Sequence, residues 1–256
     1  MIDVHNPLDM QRRRVMVTGA ASGIGRATCL LLNQLSARVV AVDVHAEGLA
    51  ETSRLLDGDG HTHQQLDLTQ LDEIGVAVAQ DVAANGPLSG LVHAAGLPCV
   101  EPIRLLEPEA YRRAFVVNTE AALALARAFQ RKDTCAPEGG AIVFVSSVMA
   151  LVGSPGSAAY SMTKAALHGL AKGLALELAP RKIRVNCVAP GFVNTPMFAR
   201  LASFWDPQER ARVDADHPLG IGAPEDIAHA ICFLLAPAGH WITGCILPVD
   251  GGYTAK

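Results

Sequence analysis

Arg14-Val15-Met16-Val17-Thr18-Gly19-Ala20-Ala21-Ser22-Gly23-Ile24-Gly25 says more about the architecture of this chain than any other stretch. A short apolar strand, Arg14–Val17, runs straight into a segment with three glycines in seven residues, and an Ala/Leu-rich helix follows. Glycines at a strand-to-helix turn let the backbone approach a pyrophosphate, while the helix N-terminus offers N–H groups and the positive end of its dipole. The spacing is G-x-x-x-G-x-G and departs from the generic dinucleotide fingerprint G-x-G-x-x-G. A tight turn that merely needs glycine is the plainer explanation, and its place between strand and helix argues against that. Gly19, Ser22, Gly23, Ile24 and Gly25 are therefore candidates for holding a dinucleotide.

Eighteen residues beyond Gly25, a second strand ends in Val42-Asp43. A carboxylate there can accept hydrogen bonds from adenosine ribose hydroxyls and would repel a 2′-phosphate. Val44 and His45 follow, so no Arg or Lys stands next to Asp43 to receive that phosphate. An Asp opening the next helix would look the same, and the two roles are compatible. The reading is NAD in preference to NADP.

Working outward, β-branched runs at Arg14–Val17, Arg38–Asp43, Thr62–Leu66, Gly90–His93, Ala141–Ser146, Arg184–Ala189 and Cys245–Val249 read as strands. Helical stretches lie between them near 23–35, 46–56, 70–84, 108–131, 158–179 and 224–236. This alternation predicts an α/β fold: one Rossmann-type, doubly wound parallel sheet of about seven strands with helices on both faces, residues 1–256 forming a single domain. The segment 190–223, rich in Pro, Gly and aromatics, reads as one long irregular loop, and such loops in compact domains usually serve the substrate.

Half of the 256 residues are hydrophobic and 18% are charged, enough to build a large core covered on both sheet faces. A net charge of −4 argues against nucleic acid or an anionic membrane as partner. The one basic run, Arg12-Arg13-Arg14, reads as a solvated strand entry. Cys29, Cys99, Cys135, Cys187, Cys232 and Cys245 are dispersed in apolar stretches without a C-x-x-C pair, as expected of reduced thiols in a cytoplasmic protein. His61-x-His63 is the nearest approach to a metal pair and lacks further ligands, so no metal is expected. There is no signal-peptide pattern and no apolar run of the ~18 residues a membrane span needs.

Tyr160 and Lys164 stand four apart on an Ala-rich helix and so share one face. Free tyrosine has a pKa near ~10, so a tyrosine acting as base near neutrality needs a fall of about three units, or ~4 kcal/mol. An ammonium ~4 Å away contributes about that much at an effective dielectric of ~20, and a positive nicotinamide would add to it. The fifth strand ends in Val145-Ser146-Ser147 at the edge where doubly wound sheets bind ligands. A serine there can hydrogen-bond a substrate oxygen as charge develops, although an N-cap or turn hydroxyl would occupy the same position.

These pieces together resemble the short-chain dehydrogenase/reductase family in its compact single-domain form, over nearly the whole chain. The matching residues are Thr18–Gly25, Asp43, Asp67-Leu68, His93-Ala94-Ala95-Gly96, Asn118, Ser146-Ser147, Tyr160-Ser161-Met162-Thr163-Lys164, Pro190-Gly191 with Thr195, and Asp250-Gly251-Gly252. The resemblance implies a catalytic serine thirteen positions before the tyrosine, which selects Ser147. It implies that Tyr160 exchanges the proton, that Lys164 lowers its pKa and holds the nicotinamide ribose, and that Asn118 binds a water in a proton relay. Asp67 and Leu68 would contact adenine, Ala94, Ala95 and Gly96 would pass under the cofactor, and Pro190, Gly191, Val193 and Thr195 would line the nicotinamide. The implied activity is NAD-dependent interconversion of a secondary alcohol and a ketone.

One departure stands out: the family's Asn-Asn-Ala-Gly turn is His93-Ala94-Ala95-Gly96 here. His93 is expected to take over the bracing role of the first asparagine as a buried, hydrogen-bonded ring. Two rivals are a dinucleotide-binding regulator without turnover, disfavoured by the intact Asn118, Ser147, Tyr160 and Lys164, and an NADPH-dependent 3-ketoacyl-thioester reductase. Asp43 speaks against the latter, as does Glu138, expected at the site mouth, where an acidic carrier protein would favour bases. Met197, Phe198, Leu201, Phe204 and Trp205, with Met149, Leu151 and Val152, read as an apolar wall around the substrate, with packing of a mobile lid as the plainer alternative. The apolar surplus of helices 108–131 and 158–179, which pair across a two-fold axis in resembling enzymes, points to a homotetramer.

Overall fold

A computed structural model describes residues 6–255. Seven parallel strands form one sheet in the order β3-β2-β1-β4-β5-β6-β7. They are β1 (Arg14–Thr18), β2 (Arg38–Asp43), β3 (Thr62–Gln65), β4 (Gly90–His93), β5 (Gly140–Val145), β6 (Ile183–Pro190) and β7 (Ile246–Val249). The helices are α1 (Gly23–Gln34), α2 (Ala46–Arg54), α3 (Leu71–Asn85), α4 (Pro108–Phe115), α5 (Ala121–Phe129), α6 (Ala158–Leu178), α7 (Pro196–Ala202), α8 (Pro207–Ala215) and α9 (Pro224–Leu235). The expected doubly wound sheet is present, with strand ends within a residue or so of their expected positions.

Successive strand residues point to opposite faces, which builds two cores from one sheet. Met16, Val40, Leu91, Ile142, Phe144 and Val185 pack on the side of α3, α5 and α6. Val15, Val17, Val39, Val92, Val143 and Val145 pack on the side of α1 and α9. The chain leaves β1 towards β2 on one side and returns through β4 on the other, so the carboxyl ends of β1 and β4 part and open a crevice.

Four expectations need correction. The stretch 190–223 is not one irregular loop: it carries α7 and α8. Both have proline in the first turn, and the Thr195 and Asp206 side chains accept hydrogen bonds from backbone N–H groups of those turns. The stretch 108–131 is not one uniform helix either, because a π turn, Val116–Glu120, separates α4 from α5. The basic run is not solvated throughout. Arg14 is buried, with Nη2 2.6 Å from Asp81 of α3, and Arg13 Nη1 donates to the Leu235 carbonyl at the C-terminal end of α9. Glu138 precedes β5 and lines a cleft with Arg13 and Arg184 at the amino edge of the sheet, so its charge says nothing about the site mouth.

His93 does the bracing expected of it. The ring is fully buried at the end of β4, with Nδ1 2.9 Å from Thr18 Oγ1 and Nε2 3.1 Å from the Val117 carbonyl. A neutral ring that donates from Nε2 and accepts at Nδ1 satisfies both partners. It ties the end of β1, the end of β4 and the π turn into one unit. Burial, with help from the Lys164 charge, pushes its pKa down from 6.5 to about 3.

The lowered value fixes the sign of a pH effect. The neutral ring's contribution is fully present above the unfolded value of 6.5 and is lost as pH falls towards about 3. Over that window His93 should remove up to about 1.4 kcal/mol of stability per pH unit. Urea unfolding from pH 7 to pH 4 should therefore show a shallower acid decline in His93→Asn than in the unmodified chain. Equal slopes would show that the ring is not held neutral.

Candidate active site

The turn after β1 comes very close to the strand beside it. Gly19 has φ +73°, and a Cβ there would sit 2.6 Å from the Ala95 backbone nitrogen. Neither the conformation nor the space admits a side chain. The turn leads into the N-terminus of α1, where Ser22 makes no capping hydrogen bond through its side chain and the first turn holds no acid. The helix's leading N–H groups and dipole are thus left for an outside anion.

Gly19, Ser22, Gly23, Ile24 and Gly25 form one wall of a cleft of about 310 Å³, whose lining also includes Asp43, Asp67, Leu68, Ala94, Ala95, Gly96 and Thr195. Asp43 sits at the tip of β2. Its Oδ2 accepts from the Ala21 N–H and its Oδ1 from the His45 N–H, each at 3.0 Å. The carboxylate therefore braces the glycine turn as well as presenting charge to the cleft. A cradle of glycine backbone, an uncapped helix N-terminus and an acid at the far end fit a dinucleotide's pyrophosphate and adenosine ribose. Sequence reasoning missed Arg113 of α4, which also lines this cleft. Only its spacing four before Val117 hinted at a place on the same helix face.

A second cleft, about 240 Å³, adjoins the first, and Ile24, Ala94, Gly96, Thr195 and Met197 line both. Ser147, Tyr160, Lys164, Pro190, Gly191, Val193, Met149, Phe198 and Leu201 line it too. Val152 and Leu151 do not. They line a separate shallow groove with Gly153 and Ala158, because the chain turns outward after the short 3₁₀ turn Val148–Ala150. Phe204 is also outside the cleft and is 81% exposed. Phe192 and Trp205, at the two ends of the segment read as the substrate wall, also line it, as do Pro98, Val100 and Pro155, which nothing in their local sequence marked.

The two serines after β5 have different surroundings. Ser146 Oγ donates to the Lys164 carbonyl at 3.0 Å and lies 2.8 Å from His168 Nε2, so it binds the strand to α6. Ser147 Oγ accepts from the Met149 N–H, and its hydroxyl neighbours Tyr160 closely enough to draw the phenol's pKa down. Burial outweighs that pull, and the Tyr160 pKa is pushed up to about 12. The lysine does not offset this as the spacing on α6 suggested. Lys164 Nζ is 5.9 Å from the centre of the Tyr160 ring and donates to the Val145 carbonyl at 2.8 Å. Burial pushes the pKa of Lys164 itself down to about 8.

Asn118 lies in the π turn, fully buried behind the cleft. Its Oδ1 accepts from the Leu97 N–H at 2.7 Å, and its Nδ2 donates to the Leu97 carbonyl and to Thr163 Oγ1. The wide turn thus aims one amide at the loop after β4 and at α6 together, as π turns at functional sites often do. The loop passes close to both side chains there: a Cβ on Gly96 would sit 3.2 Å from Lys164 Nζ and 3.3 Å from Asn118 Oδ1.

Among the described residues no group of three or more His, Cys, Asp or Glu could hold a metal ion, and no helix is long and apolar enough to cross a membrane. Cys29, Cys99, Cys135, Cys187 and Cys232 are buried free thiols, and Cys245 is partly exposed.

Residues 19–254 match the family model described as enoyl-(acyl carrier protein) reductase. Among similar curated proteins is cis-4-hydroxycyclohexanecarboxylate dehydrogenase of Sinomonas cyclohexanicum, 40% identical over 95% of this chain and 97% of that protein. Another is the 3-oxoacyl-[acyl-carrier-protein] reductase FabG of Thermotoga maritima, 36% identical over 93% of this chain and 96% of its own. A solved structure from Beutenbergia cavernae, with NADP bound at low occupancy, superposes with a TM-score of 0.89 at 33% identity, covering 98% of this chain and 100% of that one. A seven-stranded doubly wound sheet, a glycine turn opening on a cleft, and whole-chain likeness to such enzymes place this protein in the short-chain dehydrogenase/reductase family.

Proposed function

We propose that this oxidoreductase, which interconverts a secondary alcohol and a ketone, uses NAD and takes the alcohol proton on Tyr160. The observation that carries the reading is the meeting of the two clefts. The hydroxyls of Ser147 and Tyr160 lie in an apolar cleft that joins the glycine-walled cleft at Gly96 and Thr195. A carbinol whose oxygen contacts both hydroxyls has its carbon facing that junction.

When bound, the nicotinamide supplies the hydride acceptor and a positive charge beside the phenol. Ser147 orients the substrate oxygen. Tyr160, as phenolate, accepts the hydroxyl proton while the carbon gives up hydride, so one alcohol and one oxidised dinucleotide yield one ketone, one reduced dinucleotide and one proton. Lys164, held by the Val145 carbonyl, sits under Gly96, where it can meet the nicotinamide ribose. A proton relay through Asn118 would need a water on the second lone pair of Oδ1, the first being taken by Leu97. The Sinomonas relative is named for a ring alcohol that also carries a carboxylate; the apolar wall here supports a substrate that is largely apolar around its reacting carbon.

Asp43 supports NAD. A 2′-phosphate beside it would add up to two negative charges within ~4 Å, costing a few kcal/mol at an effective dielectric of ~20. The second reading, NADPH-dependent reduction of an acyl thioester, is favoured by Arg113 on the cleft wall and by the likeness to FabG. Free buried thiols support a reducing, cytoplasmic setting. Exposed Leu123 on α5, with Met162 and Leu176 on α6, supports burial of these helices against further copies in a homotetramer. Light scattering should then give about four times 26.9 kDa, and a monomer at micromolar concentration would contradict it.

Steady-state kinetics with a panel of secondary alcohols test the chemistry. Tyr160→Phe should lower kcat by at least ~10²-fold with little change in NAD affinity, while Lys164→Met should impair both. Near-full activity of Tyr160→Phe would remove the tyrosine from the mechanism. The same assay should favour NAD over NADP by at least ~10²-fold in kcat/KM, equivalent to about 2.7 kcal/mol. Asp43→Asn combined with Val44→Arg should erode that preference; equal or better efficiency of the unmodified chain with NADP would favour the second reading.

A further inference from the structure

Resting on that reading, we infer that the substrate is uncharged: a neutral alicyclic or aliphatic secondary alcohol, with anionic hydroxy acids rejected by the cleft itself. Lys164 is the only charged side chain among the described residues that line the substrate cleft, and it is tied to the Val145 carbonyl. The remaining polar side-chain groups of the lining are the hydroxyls of Ser146, Ser147, Ser154, Ser157, Tyr160 and Thr195 and the indole N–H of Trp205. Ser146 and Ser157 are already engaged, Ser146 with α6 and Ser157 with the Ser154 carbonyl at 2.7 Å.

Much of the rest of the lining is hydrocarbon. Phe192, Phe198 and Trp205 pack on one another with ring centres 5.7 Å apart in each pairing, and Leu201 and Val100 line the same cleft. An arginine does come near, on the wrong side. Arg210 of α8 lies 5.3 Å over the Phe198 ring, does not line the cleft, and has its Nε 3.7 Å from Asp214. The aromatic ring stands between that charge and anything bound inside.

A ring substrate whose carbinol oxygen contacts Ser147 and Tyr160 would have the rest of its ring against this apolar wall. A carboxylate against this wall finds no cation, Lys164 being held at the Val145 carbonyl, and no side-chain N–H donor but the Trp205 indole. Burying an unpaired carboxylate is far more costly than burying a neutral polar group. The discrimination comes from that missing partner, as it does wherever a site leaves a polar group unpaired.

Three probes separate charge from size: cyclohexanol, its 4-carboxylate derivative, and the methyl ester of that acid, each with saturating NAD. The ester should be turned over, and the carboxylate should fall below it by at least ~10²-fold in kcat/KM. In Leu201→Arg, which places a cation on the cleft wall, the carboxylate-to-ester ratio should rise at least tenfold, a change that loss of packing alone would not give. A carboxylate as good as the ester in the unmodified chain overturns the inference and leaves the alcohol dehydrogenase reading standing. Turnover of none of the three, nor of the wider alcohol panel, overturns both.

Discussion

The structure turns on one close approach, that of the Gly19 turn to Ala94 and Ala95. The turn closing β1 sits so near the loop leaving β4 that a single Cβ at Gly19 would collide with its backbone. Because nothing fills that space, the glycine turn, the α1 N-terminus and the Ala94–Gly96 loop share one surface, and the cleft opens where the sheet's strand order reverses. His93 holds the approach from behind through Thr18 and Val117, and Asp43 holds it from the side through Ala21. The binding cleft and the fold therefore share the same contacts.

Burial acts on the two central titratable groups in opposite directions. It pushes Tyr160 up to about 12 and Lys164 down to about 8, favouring the neutral form of each. Near neutrality the phenol keeps its proton, and the lysine alone, 5.9 Å from the ring centre, does not overcome the burial. A site built this way is poised rather than active. On the mechanism proposed above, a positive charge arriving beside the phenol would bring tyrosinate within reach of neutral pH and tie proton acceptance to the presence of oxidised dinucleotide.

Much of this was legible in the sequence because it is local. Strand–helix alternation, the glycine turn, Asp43 at a strand end and Tyr160 four before Lys164 each depend on spacing along one element. What was not legible depends on contacts between distant segments. Arg14 looked solvated until Asp81, on α3, came to meet it. Glu138 was misplaced for another reason: its position just before the fifth strand already puts it at the amino edge of a parallel sheet, opposite the edge that binds ligands. Arg113 reached the glycine-walled cleft, and Val152 left the cleft lined by Ser147 and Tyr160, through turns whose direction is set by packing. The helices α7 and α8 were different: their proline and capping residues stood in the sequence, and their shortness hid them. The distance from Lys164 to the phenol was likewise a matter of which carbonyl the ammonium chose, Val145, in the folded chain.

The central claim, that burial holds Tyr160 protonated until dinucleotide charge releases it, is open to direct measurement. Carbon-13 labelled tyrosine, observed by NMR as the difference between the unmodified chain and Tyr160→Phe, reports the ionisation of this one phenol. Without dinucleotide, no Tyr160 ionisation should appear up to pH 10, the ordinary tyrosine value. With saturating NAD in its oxidised form, the midpoint should move well below that pH. A midpoint at or below 10 in the free protein, or one that NAD leaves unmoved, would contradict the account.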